Sequence, residues 1–234
     1  MITTARNESD GVRRFVGWVA VIGSLMGCIN LASYVAAVGG DLEAMFKPAV
    51  ALALSADSQR LFLLSMWADS FGFYLPYLVI GGYFWSRQRD EGGALVDMAA
   101  MCIVVYVLFG AAGTSMQIAA LPPLAASHAA GDPMVRAATE AAWLAIVHAT
   151  EHGLWEMEAT VLAFWAWVTA AALRRHGGKY ALLLSGVAIG YLALFILVGA
   201  GAQVLVNAAE PVVLLGLILW QFLTGVALVR GRLA

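Results

Sequence analysis

The stretch "LFLLSMWADSFGFYLPYLVIGGYFW", residues 61–85, is apolar over almost its whole length and carries a single charged side chain, Asp69. About 20 apolar residues are enough for a helix to cross the hydrocarbon core of a bilayer, so this stretch predicts a membrane-spanning helix. Pro76 predicts a kink within it. A carboxylate at such a depth costs ~2.5–3.5 kcal/mol, so Asp69 is expected to have a partner, a cavity or a proton.

The rest of the chain follows the same pattern. Of its 234 residues, 62% are hydrophobic and 12% are charged, and the formal net charge is -2. This composition is typical of a polytopic membrane protein, and no basic face indicates nucleic acid as a partner. We predict one domain over residues 1–234, an all-α transmembrane bundle. Its six predicted spans are 15–38, 62–86, 94–119, 143–173, 180–203 and 209–229.

The basic residues predict the orientation of this bundle. If the chain threads up and down six times, most lysines and arginines fall on one side, among them Arg13, Arg14, Arg87, Arg89, Arg174, Arg175, Lys179, Arg230 and Arg232. The three on the other side are Lys47, Arg60 and Arg136. The positive-inside rule then places both termini in the cytoplasm. The loop 41–60, which is apolar in its middle, is expected to lie along the outer interface.

Polar residues gather near the predicted outer surface. The stretch "HATEHGLWEMEATVLAFW", residues 148–165, begins with histidines and carboxylates and then becomes apolar. At ~100° per residue, Glu151 and Glu158 share one face of a helix, with His148 and Trp155 beside them. Asp69 enters the bilayer at a similar depth. A polar cavity open to the outer side is therefore expected, with Glu151, Glu158 and Asp69 as catalytic candidates and Asn30, Gln117 and Trp155 lining the substrate pocket.

The spacing of His148 and His152 permits a shared metal ion. Residues 148–152 satisfy H-x-x-E-H, the pattern in which inverzincin metallopeptidases bind zinc through two histidines one turn apart and use the glutamate as a base. A divalent, zinc-like metal is therefore one expectation, with Glu158 or Asp69 as third ligand and Glu151 as base. Glu158 reaches such an ion only if the helix bends, and Gly153 permits a bend. The alternative is that both histidines are interface residues without a metal.

The layout of the chain is similar to a bacterial family of uncharacterised six-span membrane proteins of about this size. The resemblance rests on the short basic N-terminus, on the aspartate early in "LFLLSMWADSFGFYLPYLVIGGYFW", and on the basic hairpin "LRRHGGKYALLLSGVAIGYL". It implies a multi-pass protein of the bacterial cytoplasmic (inner) membrane. It implies no activity, and the acids and histidines of 148–158 depart from it, so no functional residue is carried over.

Three functions fit these observations. The favoured one is a membrane-embedded enzyme that acts on a hydrophobic or lipid-like substrate from the lipid bilayer, by metal-assisted or acid–base chemistry at its outer mouth. The second is a proton-coupled transporter that uses Asp69 and Glu158 as a titrating pair. The third is a non-catalytic ligand-binding or accessory subunit, since Gly- and Ala-rich spans suit packing in a homo- or hetero-oligomer.

Overall fold

The helices follow the apolar segments of the sequence. The computed structural model of the protein describes residues 2–175 and 178–233, with side chains from residue 10 onward, and every regular element within them is helical. The α-helices are α1 (Ile2–Ala37), α2 (Pro48–Leu52), α3 (Ala56–Asp69), α4 (Leu75–Ala130), α5 (Pro133–His148), α6 (Glu156–Arg175), α7 (Ala181–Gly199) and α8 (Gln203–Val229). A first π turn, Ser70–Tyr74, joins α3 to α4, and a second π turn, Ala149–Trp155, joins α5 to α6.

Four helical stretches among the described residues are long and apolar enough to cross a membrane. They are Asp10–Ala37, Ala56–Ala130, Ala181–Gly199 and Gln203–Val229. On α1 a stripe of large apolar side chains at helical spacing is more than half exposed, including Phe15, Trp18, Ile22 and Leu25. Such a stripe suits contact with lipid tails. The all-α prediction is confirmed, and these helices fit a multi-pass membrane protein.

Two regions of the chain differ in form from a single straight helix. The long helix α4 breaks at Gly93, whose φ of 52° and ψ of -139° are not helical, so it consists of two segments. A φ in this range is strained for residues with a Cβ, and glycine adopts it freely. The predicted span 143–173 is divided by the second π turn. Helix α6, which follows this turn, carries charged residues at both ends: Glu156 and Glu158 in its first turn, and Arg174 and Arg175 in its last.

Glycines allow the helices to approach closely. Helix α1 packs against α3 and α8, and α6 packs against α4 and α7. A Cβ placed on Gly72 would lie 2.5 Å from the backbone nitrogen of Gly27, and one on Gly17 would lie 2.8 Å from the Gly225 carbonyl oxygen. Small residues at such crossings let backbones meet, which is how helices associate where no hydrophobic effect drives them together.

An aromatic cluster fills the bundle toward the end that carries Arg87 and Arg174, which we call the basic end. The ring centroid of Tyr77 lies 5.6 Å from that of Trp165 and 5.8 Å from that of Tyr106, and the centroids of Trp165 and Trp220 are 5.8 Å apart. All four side chains are at most 2% exposed. We call Tyr77, Tyr106, Trp165 and Trp220 the aromatic floor, because they close the bundle below the site described next.

The loop 41–60 lies against the opposite end of the bundle. Its 3₁₀ turn, Ala44–Phe46, and helix α2 bury Met45, Ala51 and Leu52. The indole nitrogen of Trp143 donates to the Met45 carbonyl at 3.0 Å, which fixes the loop to α5. At the rim, the Lys47 ammonium donates to the Asp41 carboxylate at 2.8 Å and lowers the pKa of that carboxyl.

Candidate functional site

The first π turn places Asp69 and Tyr74 on one side of their helix. A π turn closes with a bond from residue i+5 to residue i, here from the Leu75 N–H to the Ser70 carbonyl. In an α-helix, positions 69 and 74 would lie ~140° apart around the axis. With the extra residue in the turn they face the same way, and the Tyr74 hydroxyl lies beside the Asp69 carboxyl.

A glutamine from α8 supports this turn. The α-helical partner of the Gly72 carbonyl would be the N–H of residue 76, but Pro76 has none. The amide nitrogen of Gln221 donates to the Gly72 carbonyl at 3.3 Å instead. The Gln221 side chain occupies the space above Gly23, where a Cβ would lie 2.3 Å from its amide nitrogen. The irregular turn is therefore held by a side chain on another helix.

The second π turn presents Thr150 and Glu151 to α4. It too closes with an i+5 to i bond, from the Glu156 N–H to the Glu151 carbonyl, and it contains Gly153. The buried Gln117 of α4 donates to the Thr150 hydroxyl at 2.7 Å and to the Glu151 carboxylate at 3.3 Å. The predicted weak point in the helix at Gly153 thus lies within a π turn, a feature found frequently at functional sites.

Glu158 lies in the first turn of α6, just after the second π turn, and bonds Tyr74 of the first π turn. Its side chain is 8% exposed, and one carboxylate oxygen accepts a hydrogen bond from the Tyr74 hydroxyl at 3.1 Å. The other oxygen is buried and has no hydrogen-bond partner among the described residues, and the same holds for the indole nitrogen of Trp155. Asp69 and Glu151 both lie within electrostatic range of Glu158. We call Asp69, Glu151 and Glu158 the acid cluster.

Two glycines of α4 hold the aromatic side chains that flank Glu158. A Cβ on Gly110 would lie 1.8 Å from a ring carbon of Tyr74, and one on Gly113 would lie 2.3 Å from the indole nitrogen of Trp155. The Tyr74 and Trp155 rings therefore pack directly on the α4 backbone. Between these glycines and Gln117, Thr114 bonds the Ser70 hydroxyl at 3.0 Å, so one face of α4 contacts both π turns.

The acid cluster has no basic partner in the part of the chain that the structure describes. The ion pairs found there are Arg13–Asp10, Lys47–Asp41, Arg60–Asp57, Arg89–Asp90, His128–Glu140 and His152–Glu156. Burying an isolated ionised carboxylate is very costly unless it is paired, coordinated or protonated. The arrangement is therefore suited to holding a proton or to receiving a positive charge from a ligand.

The histidines form a separate group beneath the loop. The ring centroids of His148 and His152 are 5.1 Å apart, and Phe46 packs against both, at 6.0 and 5.5 Å. His152 also bonds the Glu156 carboxylate through Nδ1. Within the described residues, no three His, Cys, Asp or Glu side chains are placed so that they could hold one metal ion. This arrangement does not bring Glu158 or Asp69 to the two histidines as a third ligand among the described residues, and no chemical step below is routed through a metal.

The sequence-predicted site residues divide into two sets. Asp69, Glu151 and Glu158 come together, and Gln117 and Trp155 contact this group. Asn30 does not, because its buried amide donates to the Ser65 carbonyl at 2.9 Å and fastens α1 to α3. The histidines also lie outside it. Sequence reasoning missed Tyr74 and the two glycines; "FGAAGTSMQ", residues 109–117, carries a small-residue spacing that signals a close helix contact but not its partner.

No family model matches this chain, and no curated protein or solved structure shows significant similarity to it.

Proposed function

We propose that the protein is a six-span enzyme of the bacterial inner membrane, with both termini in the cytoplasm and the acid cluster toward the outer side. The Lys/Arg asymmetry supports this orientation through the positive-inside rule. The break of α4 at Gly93 supports two passes between Ala56 and Ala130, and α5, the second π turn and α6 together supply one more.

In this proposal the enzyme performs acid–base chemistry on a hydrophobic or lipid-like substrate. Glu158 transfers the proton, Tyr74 orients the carboxyl group, and Asp69 and Glu151 stabilise positive charge that develops on the substrate. The single observation that carries the proposal is the buried Glu158: one oxygen accepts from Tyr74, and the other has no hydrogen-bond partner among the described residues. A carboxyl group in such an apolar setting is the kind of group that enzymes use as general acid or base.

The surroundings of Glu158 favour a hydrophobic substrate. Apolar and aromatic walls with a few convergent polar groups are typical of sites for small hydrophobic molecules. The buried Gln117, which already bonds Glu151, supplies a further polar group beside the acid cluster.

The main alternative is a proton-coupled transporter. Two membrane carboxyls, Glu158 bonded to Tyr74 and Asp69 just before the turn that carries Tyr74, suit a titrating pair. A carrier also needs a polar route to the opposite surface, and the aromatic floor occupies that direction. We therefore favour chemistry at a dead-end site. The other alternative is a non-catalytic accessory subunit in a homo- or hetero-oligomer, in which the acid cluster would catalyse no reaction.

The zinc-like metal stays a prediction with its own test. Protein purified without a His-tag or chelator is analysed for metals by mass spectrometry, together with His148→Ala and His152→Ala. Near-stoichiometric zinc that both substitutions remove would support metal-assisted chemistry at the histidines. Folded, active protein without metal would leave acid–base chemistry as the only proposed mechanism.

Lipid analysis of whole cells tests the proposed chemistry. Cells without the protein are complemented with the unchanged chain, with Glu158→Gln or with Glu140→Gln, and their hydrophobic extracts are compared by mass spectrometry. Glu140 is the matched control, because it pairs with His128 away from the acid cluster. We expect one component to change by about a hundredfold between the unchanged chain and Glu158→Gln, as expected for a lost acid–base group, and not to change with Glu140→Gln. Identical extracts throughout would overturn the proposal.

A further inference from the structure

We infer that the acid cluster binds a hydrophobic cation, a molecule with an alkyl chain and a protonated amine. This inference rests on the proposed function, since it names the substrate class of that same site. Glu158 bonds Tyr74, which packs on Gly110 of α4, and Glu151 bonds Gln117 about two helical turns further along α4. Asp69 directly precedes the turn that carries Tyr74. The three acidic side chains do not by themselves identify a ligand, but a second feature of the same site does.

That second feature is the free oxygen of Glu158. The Glu158 side chain is only 8% exposed. This oxygen has no hydrogen-bond donor among the described residues, whereas the other oxygen of the same carboxylate accepts from Tyr74. A buried acceptor without a donor is a costly feature that natural proteins rarely keep without a role. A ligand ammonium group supplies the missing N–H donor and the compensating charge together.

The spacing of the carboxylates favours an organic cation over a metal ion. The described residues include no set of three acidic or histidine side chains that could hold one metal. A single positive charge placed among carboxylates at longer range still gains from all of them in a medium of low dielectric constant. Aromatic rings add to this attraction, since Tyr74 bonds Glu158 and its ring centroid lies 5.2 Å from that of Tyr106.

Calorimetry on the full chain in nanodiscs tests the inference, with octylammonium as the probe and octan-1-ol as its neutral counterpart. Heats from empty nanodiscs are subtracted. We expect saturable 1:1 binding of octylammonium to the unchanged chain, weakened about tenfold or more by Glu158→Gln and by Glu151→Gln. Glu140→Gln, the matched control, should bind as the unchanged chain does, and octan-1-ol should show no saturable binding.

Several results would overturn the inference: no saturable binding of octylammonium, equal binding of octan-1-ol, or unchanged binding by a folded Glu151→Gln protein. If Glu158→Gln aggregates, Glu151→Gln still decides the matter. The two proposals fail separately. Lipid conversion without octylammonium binding would overturn only this inference, whereas binding without conversion would support the cation site and overturn the enzyme.

Discussion

Gly110 determines where the Tyr74 ring lies. The ring packs against the α4 backbone at a point where a Cβ would be 1.8 Å from a ring carbon, so no larger residue fits without displacing it. Because the Tyr74 hydroxyl is the donor to Glu158, the small residue at position 110 determines where that donor lies. Its role is one of positioning, through Tyr74.

A single methyl group at position 110 should therefore disturb the site. Gly110→Ala is expected to lower the free energy of unfolding by about 1–3 kcal/mol, the usual effect of overpacking a buried contact, and to reduce conversion of the substrate component. Thermal unfolding in nanodiscs and the cellular lipid analysis measure the two effects.

Gly82→Ala is the matched control for this substitution. A Cβ at Gly82 meets nothing within 4 Å, and the residue is helical, so alanine should leave stability equal or slightly higher. Equal behaviour of the two variants would show that Tyr74 is not confined by α4.

At the scale of elements, the two π turns are what assemble the site. Each shifts the side chains that follow it around the helix axis, which brings Tyr74 beside Asp69 and turns Glu151 toward Gln117. Sequence periodicity assumes ~100° per residue throughout a helix, so it predicted the acids near one another but not their partners. In the sequence, Pro76 and Gly153 indicated where the two helices become irregular, because each residue weakens a helix. Neither residue identifies the irregularity as a π turn.

The support of the first π turn by Gln221 yields a prediction for a double-mutant cycle. Gln221→Leu removes the donor to the Gly72 carbonyl and should cost about 1–3 kcal/mol, the penalty for a buried group left unpaired. In a Pro76→Ala background, residue 76 regains its N–H, so the same substitution should cost less. Unfolding in nanodiscs measures all four proteins. An equal cost in both backgrounds would show that Gln221 acts by packing alone.

At the scale of the whole molecule, composition and the length of the apolar runs were enough to predict an all-α membrane protein. They could not predict that loop 41–60 would cover the histidines, because Phe46 meets His148 and His152 only after distant segments pack. Nor could they reveal the aromatic floor, whose members come from both segments of α4, from α6 and from α8. Contacts between residues far apart in sequence depend on helix rotation and depth, which hydropathy leaves open.

The proposed orientation predicts which connections face outward. Single cysteines at Asp90, Ala130 and Lys179, in a chain with Cys28 and Cys102 replaced by alanine, are treated in intact cells with a membrane-impermeant thiol reagent. Only the cysteine at 130 should react from outside. Reaction at 90 or 179 would reverse the predicted orientation and place the acid cluster toward the cytoplasm.

The central claim is that the acid cluster performs chemistry at a closed site and does not carry protons through the bundle. Sealed liposomes that contain the purified protein, the hydrophobic extract of its host and an internal pH dye measure both activities at once. We predict that the unchanged chain converts one component without a change of internal pH, that Glu158→Gln loses the conversion, and that Glu140→Gln keeps it. Substrate-dependent acidification that Glu158→Gln abolishes, with no component converted, would contradict the account.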